Sequence, residues 1–255
     1  MSHLHTETYG QGKPVVLVHG WSMHSGIWRQ FARRLSQHYR VTCVDLPGHG
    51  FSDKAQAFTL PLICEQLGQR LPEQSCHWLG WSLGGSVVLE MSRRFPERVA
   101  SVMLLASNPR FIKDNDWPGM PEKHLEAFAD YLASDSRGAL LRFLSLQIKG
   151  LSSFKELSGQ LRQAVQESDP PDLDTLSGGL SVLKQADLRP VLAALDKPVS
   201  VVLGGRDTLV PVAAGIAMQK LNSKIQLNII DQAGHVPFLS HPQQLLKTMA
   251  DFLEQ

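Results

Sequence analysis

One serine of the chain lies in a setting that could make its hydroxyl a nucleophile. The segment Gly80-Trp81-Ser82-Leu83-Gly84-Gly85 matches the pattern G-x-S-x-G, and it stands between an apolar run at 77–79 and a helical pattern at 83–95. A serine on such a strand-to-helix turn has strained backbone angles, so the residues two positions away must be small. The turn also points a helix amino terminus at a developing oxyanion. Ser82 is therefore the candidate nucleophile, although the pattern alone is equally typical of an ordinary glycine-rich turn.

A serine hydroxyl needs a base to take its proton, and suitable residues follow two late strands. Asp207 comes after the apolar run 199–203, and His235 after the run 225–230. Because parallel strands present ligand-binding groups at their carboxyl ends, both residues should reach the sheet edge that carries Ser82. The chain order Ser, Asp, His is one that known triads use. Taken singly, the aspartate would suit a turn and the histidine a surface loop. Two other acids compete for the acid role but do not combine a strand end with a following histidine loop: Asp196 and Asp231.

Two backbone amides are needed to hold an oxyanion. The first is predicted at Leu83, directly after the nucleophile. The second is predicted in His19-Gly20-Trp21, after the first parallel strand, because Gly20 allows a sharp bend that leaves the Trp21 amide free to point inward. The Trp21 side chain would then form a wall of the pocket. A purely structural turn is the alternative for this segment.

Apolar runs alternate with helical patterns over the first hundred residues and again after residue 199. The early runs are 15–18, 41–44, 77–79 and 99–106, and the helical patterns 27–38, 60–71 and 83–95. Such alternation predicts an α/β fold with a mostly parallel sheet flanked by helices. Between 108 and 188 the pattern is helical throughout, which predicts a cap inserted after the fourth recognisable strand. Residues 1–107 and 189–255 would form the core. His3 and His5 are assigned to a disordered tail.

The bulk properties limit the classes of function. The chain has 255 residues, of which 43% are hydrophobic and 19% charged, and its formal net charge is +1. This balance predicts a globular domain without a general affinity for nucleic acid or membranes. The three scattered cysteines, Cys43, Cys64 and Cys76, predict free thiols and a cytoplasmic location. Neither metal-ligand spacing nor a phosphate or dinucleotide loop occurs, so no metal or cofactor is predicted.

Several motifs together resemble those of the α/β-hydrolase superfamily. They are His19-Gly20-Trp21, Asp45-Leu46-Pro47-Gly48, the Ser82 motif, Pro96-Glu97-Arg98-Val99 and Gly234-His235. More narrowly, the chain resembles the biotin-pathway esterases that cleave the methyl ester of pimeloyl-acyl carrier protein. This narrower likeness extends into the predicted cap, whose sequence varies greatly among hydrolases. It rests on the Ser82 motif, Trp117-Pro118-Gly119, the stretch from Arg142 to Gln147, Gly178-Gly179-Leu180, Leu183-Lys184 and Asp187-Leu188-Arg189.

The resemblance implies a monomeric serine carboxylesterase that needs no cofactor and releases pimeloyl-acyl carrier protein and methanol. It implies a substrate site formed by Trp21, Ser82, Leu83, Phe143, Leu144, Ser145, Leu146, Gln147 and His235. It further implies a basic cap surface that receives the acidic carrier protein.

The charge pattern of the predicted cap fits that implication. Between 137 and 162 there are five basic residues and one acid, a local charge of +4, which leaves −3 for the rest of the chain. The basic residues are Arg137, Arg142, Lys149, Lys155 and Arg162. Such a surface would steer an anionic partner. A solvated helix face is the alternative.

The motifs leave other functions open. A broad-specificity short-chain carboxylesterase, a carbon–carbon bond hydrolase or a lactonase would use the same triad, because pocket and cap decide the substrate. A ligand-binding receptor with a vestigial hydrolase site belongs to another class, and the complete set of catalytic elements argues against it.

Overall fold

Seven strands form one sheet in this computed structural model, which describes residues 3–71 and 74–254. The strands are β1 (Thr6–Tyr9), β2 (Pro14–Val18), β3 (Arg40–Val44), β4 (Cys76–Trp81), β5 (Val99–Leu105), β6 (Val199–Gly204) and β7 (Gln226–Ile230). Their order across the sheet is β1-β3-β2-β4-β5-β6-β7, and β1 alone pairs antiparallel with its neighbour. The predicted mostly parallel sheet is confirmed.

Helices cover both faces of the sheet. They are α1 (Arg29–Leu35), α2 (Leu60–Arg70), α3 (Leu83–Arg94), α4 (Glu122–Ser134), α5 (Ser136–Gln147), α6 (Phe154–Val165), α7 (Leu173–Gln185), α8 (Arg189–Ala194), α9 (Val212–Leu221), α10 (Pro237–Ser240) and α11 (Pro242–Leu253). One hydrophobic core contains residues of α2, α3, α8 and α9, and the other contains residues of α1 and α11. None of the described helices is long and apolar enough to cross a membrane.

Strand β2 shows why the central strands are continuous apolar runs. Successive side chains of a strand point to opposite faces. Val16 and Val18 lie in the first core, whereas Val15 and Leu17 lie in the second. Because both faces are covered by helices, every position must be apolar.

The amino-terminal segment is not a disordered tail, and that prediction is wrong. The backbone amide of His3 donates to the carboxylate of Asp53 at 2.6 Å, and that of His5 donates to the hydroxyl of Ser52 at 2.8 Å. The chain then forms β1 at the edge of the sheet. The side chains of β1 alternate between exposed and half-buried positions, so this strand has no apolar run to mark it.

Four helices, α4 to α7, occupy the segment between β5 and α8, which we call the inserted segment (residues 108–188). Its first part, 108–121, is irregular and contains two isolated bridges, Ile112 with Met120 and Asp114 with Trp117. Helix α1 is shorter than the helix predicted for 27–38, and a 3₁₀ turn at Ser25–Trp28 precedes it.

Candidate active site

Ser82 occupies a sharp turn between β4 and α3. Its backbone has φ 55° and ψ −121°, a conformation that residues with a side chain rarely adopt and that costs roughly 1–3 kcal/mol. A Cβ atom at Gly80 would overlap the backbone of Gly84, and one at Gly84 would overlap the carbonyl of Val18. Glycine is therefore required on both sides of the serine for the turn to close.

Asp207 and His235 form a buried pair beyond the ends of β6 and β7. The Nδ1–H of His235 donates to Oδ2 of Asp207 at 2.7 Å. The other carboxylate oxygen accepts the backbone amides of Leu209 at 2.8 Å and Val210 at 3.1 Å. Both side chains are almost completely excluded from solvent, at 1% and 0% exposure. With its proton fixed on Nδ1, the imidazole presents an unprotonated Nε2, as a general base requires.

Trp81 connects the loop of this histidine to the strand that ends at Ser82. Its indole Nε1–H donates to the carbonyl of His235 at 2.7 Å, and the two rings lie 5.8 Å apart. Trp81 directly precedes Ser82 in the chain. The Nε2 atom of His235 is buried and makes no hydrogen bond to any described residue, Ser82 included.

The predicted oxyanion donors flank Ser82. A Cβ atom built on Gly20 would lie 3.1 Å from Cβ of Ser82, so this glycine adjoins the nucleophile. The Gly20 carbonyl accepts from Nδ1 of His19 at 2.8 Å and from the amide of Met23 at 3.3 Å. In a trans peptide the C=O and N–H point in opposite directions. The amide of Trp21 is therefore directed away from those two donors.

The backbone amide of Leu83, the other predicted donor, is oriented in the same way. The carbonyl of Ser82 accepts the hydroxyl of Ser107 at 2.6 Å and the amide of Gly85 at 3.0 Å. The N–H of the same peptide belongs to Leu83, the first residue of α3, where backbone amides have no acceptor within the helix. The amides of Trp21 and Leu83 are thus the candidate oxyanion hole.

His19 has a structural role that sequence reasoning missed. Its Nε2 accepts the amide of Leu46 at 2.9 Å, which leaves Nδ1 to donate to Gly20, so one neutral tautomer connects two loops. Burial lowers the pKa of His19 to about 3, and burial together with the adjacent His19 lowers the pKa of His49 to about 3. Both imidazoles are therefore neutral near pH 7.

A cavity of about 420 Å³ lies between the inserted segment and the core. Its lining includes Trp21, Phe128, Phe143, Leu146, Leu180, Leu183, Thr208 and Leu209. The Trp21 ring meets those of Phe143 and Phe128 edge to face at 4.9 and 5.6 Å. The cavity is bounded on the core side by Trp21 and by residues 208–209, directly after Asp207, whereas Ser82, Leu83 and His235 are not among its lining residues. Its mostly apolar wall suits an aliphatic acyl chain.

The predicted five-residue wall 143–147 is only partly formed. An α-helix turns about 100° per residue, so five successive side chains cannot face one cavity. Phe143 and Leu146 line it, whereas Leu144 packs into the second core. Ser145 is exposed and donates to the carbonyl of Leu141, so its predicted place in the wall is corrected.

Gln147 instead contacts the backbone of His235. Its carbonyl accepts the amide of His235 at 3.0 Å, and its carboxamide is buried without a hydrogen bond to the described residues.

The five basic residues predicted to receive the carrier protein are all exposed, and none pairs with an acid in the part of the chain that is described. Arg142 and Lys149 also line the cavity. Two large apolar side chains, Leu141 and Phe154, are exposed at 44% and 42% beside Arg142 and Lys155. Within 3–71 and 74–254, no three His, Cys, Asp or Glu residues are grouped to hold a metal ion.

Comparison with known sequences identifies close relatives. A family model described as alpha/beta hydrolase fold matches residues 13–242. A pimeloyl-[acyl-carrier protein] methyl ester esterase of Methylococcus capsulatus is 43% identical over 250 residues, which cover 98% of each chain. The protein of the same name from Nitrosomonas europaea is 38% identical, over 96% of this chain and 98% of its own.

Comparison with solved structures finds the same fold. An esterase from Exiguobacterium antarcticum superposes with a TM-score of 0.89 at 22% identity, over 100% of this chain and 96% of its own. An enol-lactonase from Burkholderia xenovorans gives 0.87 at 19% identity, over 100% and 97%. At these identities the likeness concerns the fold alone.

Proposed function

We infer the function from a family membership: this chain belongs to the α/β-hydrolase family and, within it, to the pimeloyl-[acyl-carrier protein] methyl ester esterases. It is a carboxylic ester hydrolase, and the reaction that we assign to it converts the methyl ester of pimeloyl-acyl carrier protein to pimeloyl-acyl carrier protein and methanol. The observation that carries the chemistry is the buried Asp207–His235 pair beside the strained Ser82 turn.

The proposed mechanism is a two-step acyl transfer. Nε2 of His235 takes the proton of Ser82 as its oxygen attacks the ester carbonyl, and the amides of Trp21 and Leu83 hold the oxyanion. His235 then protonates the methoxy group, and methanol leaves. Water, deprotonated by the same imidazole, then attacks the acyl-enzyme carbonyl, and the imidazolium returns its proton to the Ser82 oxygen as the acid is released. Asp207 orients the ring and stabilises its charged form throughout.

Residues 108–188 are proposed to act as a cap over a core formed by 1–107 and 189–255. The supporting observation is that α4, α5 and α7 supply much of the cavity wall, with Trp21 and the 208–209 loop on the core side. The cap would exclude water from the acyl chain and strengthen the interactions that stabilise the oxyanion.

The cap is also proposed to receive the acidic carrier protein. Five exposed cations, which have no acidic partner among the residues that the structure describes, are available to an anionic surface. Arg142 and Lys149 place positive charge at the cavity proposed for the acyl chain. The exposed Leu141 and Phe154 add apolar contact area beside those charges. The chain is further proposed to act as a monomer in the cytoplasm, where the three buried free thiols suit a reducing compartment.

Ser82→Ala tests the nucleophile. The variant should fold, because alanine removes only a hydroxyl, and its turnover should fall roughly a millionfold. Hydrolysis of a nitrophenyl ester and labelling by a fluorophosphonate probe are the measurements. Ordinary turnover in the variant, or failure of the probe to label Ser82 in the unaltered protein, would refute the assignment.

A substrate comparison tests the specificity. Methyl pimelate on the carrier protein should be cleaved with a higher kcat/KM than the free small ester. Cleavage of short nitrophenyl esters without cleavage of the carrier-bound ester would instead indicate a broad-specificity carboxylesterase.

Charge reversal on α6 tests the docking surface. Lys155→Glu with Arg162→Glu should lower kcat/KM for the carrier-bound ester and leave the free ester unchanged, since neither residue lines the cavity. Lys220→Glu, an exposed change on α9, is the matched control. Equal losses on both substrates would indicate that the α6 residues serve packing rather than docking.

A further inference from the structure

Helix α7 of the cap holds the side chain of a residue whose backbone amide is a candidate oxyanion donor. The indole Nε1–H of Trp21 donates to the carbonyl of Leu176 at 2.9 Å. The indole is buried at 1% exposure and is also contacted by Phe143 of α5 and Phe128 of α4. Three helices of the cap therefore fix the ring of a core residue that adjoins Ser82 through Gly20.

Gly179 makes the close approach of α7 possible. A Cβ atom at this position would lie 2.5 Å from Cδ1 and 2.9 Å from Nε1 of Trp21, and 3.7 Å from a methyl group of Leu83. Glycine is unfavourable inside a helix because it loses much conformational freedom on folding. Gly159, in α6, has no described atom within 4 Å of its Cβ position apart from its chain neighbours and the backbone of its own helix, and so shows no such reason for being glycine. At 179 the missing side chain is what lets the indole rest on the helix.

We propose that Gly179 and the Leu176 carbonyl form a seat that positions the oxyanion hole, so that the hole is complete only while α7 holds the Trp21 indole. The buried ring is enclosed by Phe128, Phe143 and α7, so it has little room to rotate about its two side-chain torsions. A displacement of the ring should therefore turn the Gly20–Trp21 peptide and misalign its amide. Gly179 touches neither substrate nor reacting atoms, and it is a positioning residue. The proposal rests on the acyl-transfer function assigned above.

Gly179→Ala tests the seat against Gly159→Ala as a matched control. Both changes add one methyl group to a cap helix and favour helix formation equally. Removing an oxyanion donor costs 10²- to 10³-fold, so misaligning one should lower kcat of Gly179→Ala on a free nitrophenyl ester roughly 10- to 100-fold, with KM within about twofold. Gly159→Ala should keep the wild-type values.

Binding of a hexyl trifluoromethyl ketone distinguishes positioning from packing. The ketone forms a tetrahedral adduct with the serine, and its oxyanion uses the same two amides. Its inhibition constant should rise in Gly179→Ala by the same factor as kcat/KM falls, because both report transition-state stabilisation. A rise in KM alone, or kinetics equal to those of Gly159→Ala, would overturn the proposal.

Two further variants keep the test decisive if Gly179→Ala folds poorly. Trp21→Phe retains a ring but removes the N–H that bonds Leu176, and it should weaken ketone binding more than substrate binding. In a Trp21→Ala background, Gly179→Ala should cost less than about threefold, because no indole remains to be displaced. If the losses of kcat in the two single variants add fully in the double variant, the proposed role of Gly179 is wrong. Failure of the fluorophosphonate probe to label Ser82 in the wild-type protein would instead refute the proposed function.

Discussion

The carbonyl of Ser82, the candidate nucleophile, accepts two hydrogen bonds that stabilise the turn. The hydroxyl of Ser107 and the amide of Gly85 both reach it, which orients the peptide whose N–H belongs to Leu83. Because Ser82 has a positive φ, the turn stores strain that these bonds must offset. We therefore expect Ser107 to act on catalysis through the backbone of Ser82.

Ser107→Ala should lower kcat about tenfold and leave KM nearly unchanged, since a typical net hydrogen bond contributes about 1 kcal/mol and here it orients an oxyanion donor. Steady-state hydrolysis of a nitrophenyl ester measures both constants. Ser92→Ala is the control, because its buried hydroxyl also donates to a backbone carbonyl, that of Leu89, at the far end of α3. Equal losses in the two variants would show that Ser107 contributes stability alone.

The sequence predicts functional residues that directly follow a strand. It does not predict residues whose role depends on a hydrogen-bond partner far along the chain. Ser82, Asp207 and His235 each follow an apolar run, so the topology of a parallel sheet suffices to bring them to one edge. Ser107 follows an apolar run as well, but only the three-dimensional turn shows that its hydroxyl meets the carbonyl of residue 82. The Trp21–Leu176 bond spans 155 residues and has no local signal.

At the scale of elements, α5 shows that a sequence motif does not indicate which of its side chains face the cavity. The stretch 143–147 was predicted to line the acyl pocket as a unit, but a helix distributes it over three environments. Phe143 and Leu146 are separated by three positions and share a face. Strand β1 was missed for a related reason, because an edge strand with one exposed side carries no apolar run.

Leu146→Phe should reduce the acyl chain length that the cavity accepts. The larger ring would occupy part of the 420 Å³ space, and overfilling a packed site costs about 1–3 kcal/mol. The ratio of kcat/KM for a seven-carbon ester to that for an acetate ester should therefore fall roughly tenfold or more. Ser145→Phe introduces the same side chain one position away, on the exposed face, and should keep the wild-type ratio. If this ratio falls equally in both variants, the cavity does not determine the preference for acyl chain length.

Across the whole molecule, positive charge is concentrated on part of the inserted segment, and the remainder of the chain carries a net negative charge. The sequence alone shows the imbalance of +4 between residues 137 and 162 against −3 for the rest of the chain, and the structure adds that the five cations are exposed.

No sequence pattern indicates that the imidazoles of His19 and His49 are buried and neutral. His19 and His49 have 0% and 1% exposure, and their rings lie 5.1 Å apart beneath the loops that shape the active site.

These two histidines make the stability of the fold depend on pH. Each has a pKa of about 3 in the folded protein and about 6.5 when unfolded, so below pH 6.5 the unfolded chain binds protons that the folded chain does not. Their contribution is complete above pH 6.5 and is lost as the pH falls towards 3. At pH 5 each histidine should lower the free energy of unfolding by about 2 kcal/mol. Urea unfolding between pH 8 and pH 5 measures the loss.

His49→Gln identifies the source of that loss. The variant should be less stable than the wild type at pH 8, because the hydrogen bond from Nδ1 to the carbonyl of Pro47 is removed. Its further loss of stability between pH 8 and pH 5 should nevertheless be smaller by about 2 kcal/mol, since one buried imidazole no longer resists protonation. His38→Gln, which replaces an exposed histidine, is the matched control. If the slope of His49→Gln equals that of the wild type, the acid sensitivity arises from other groups.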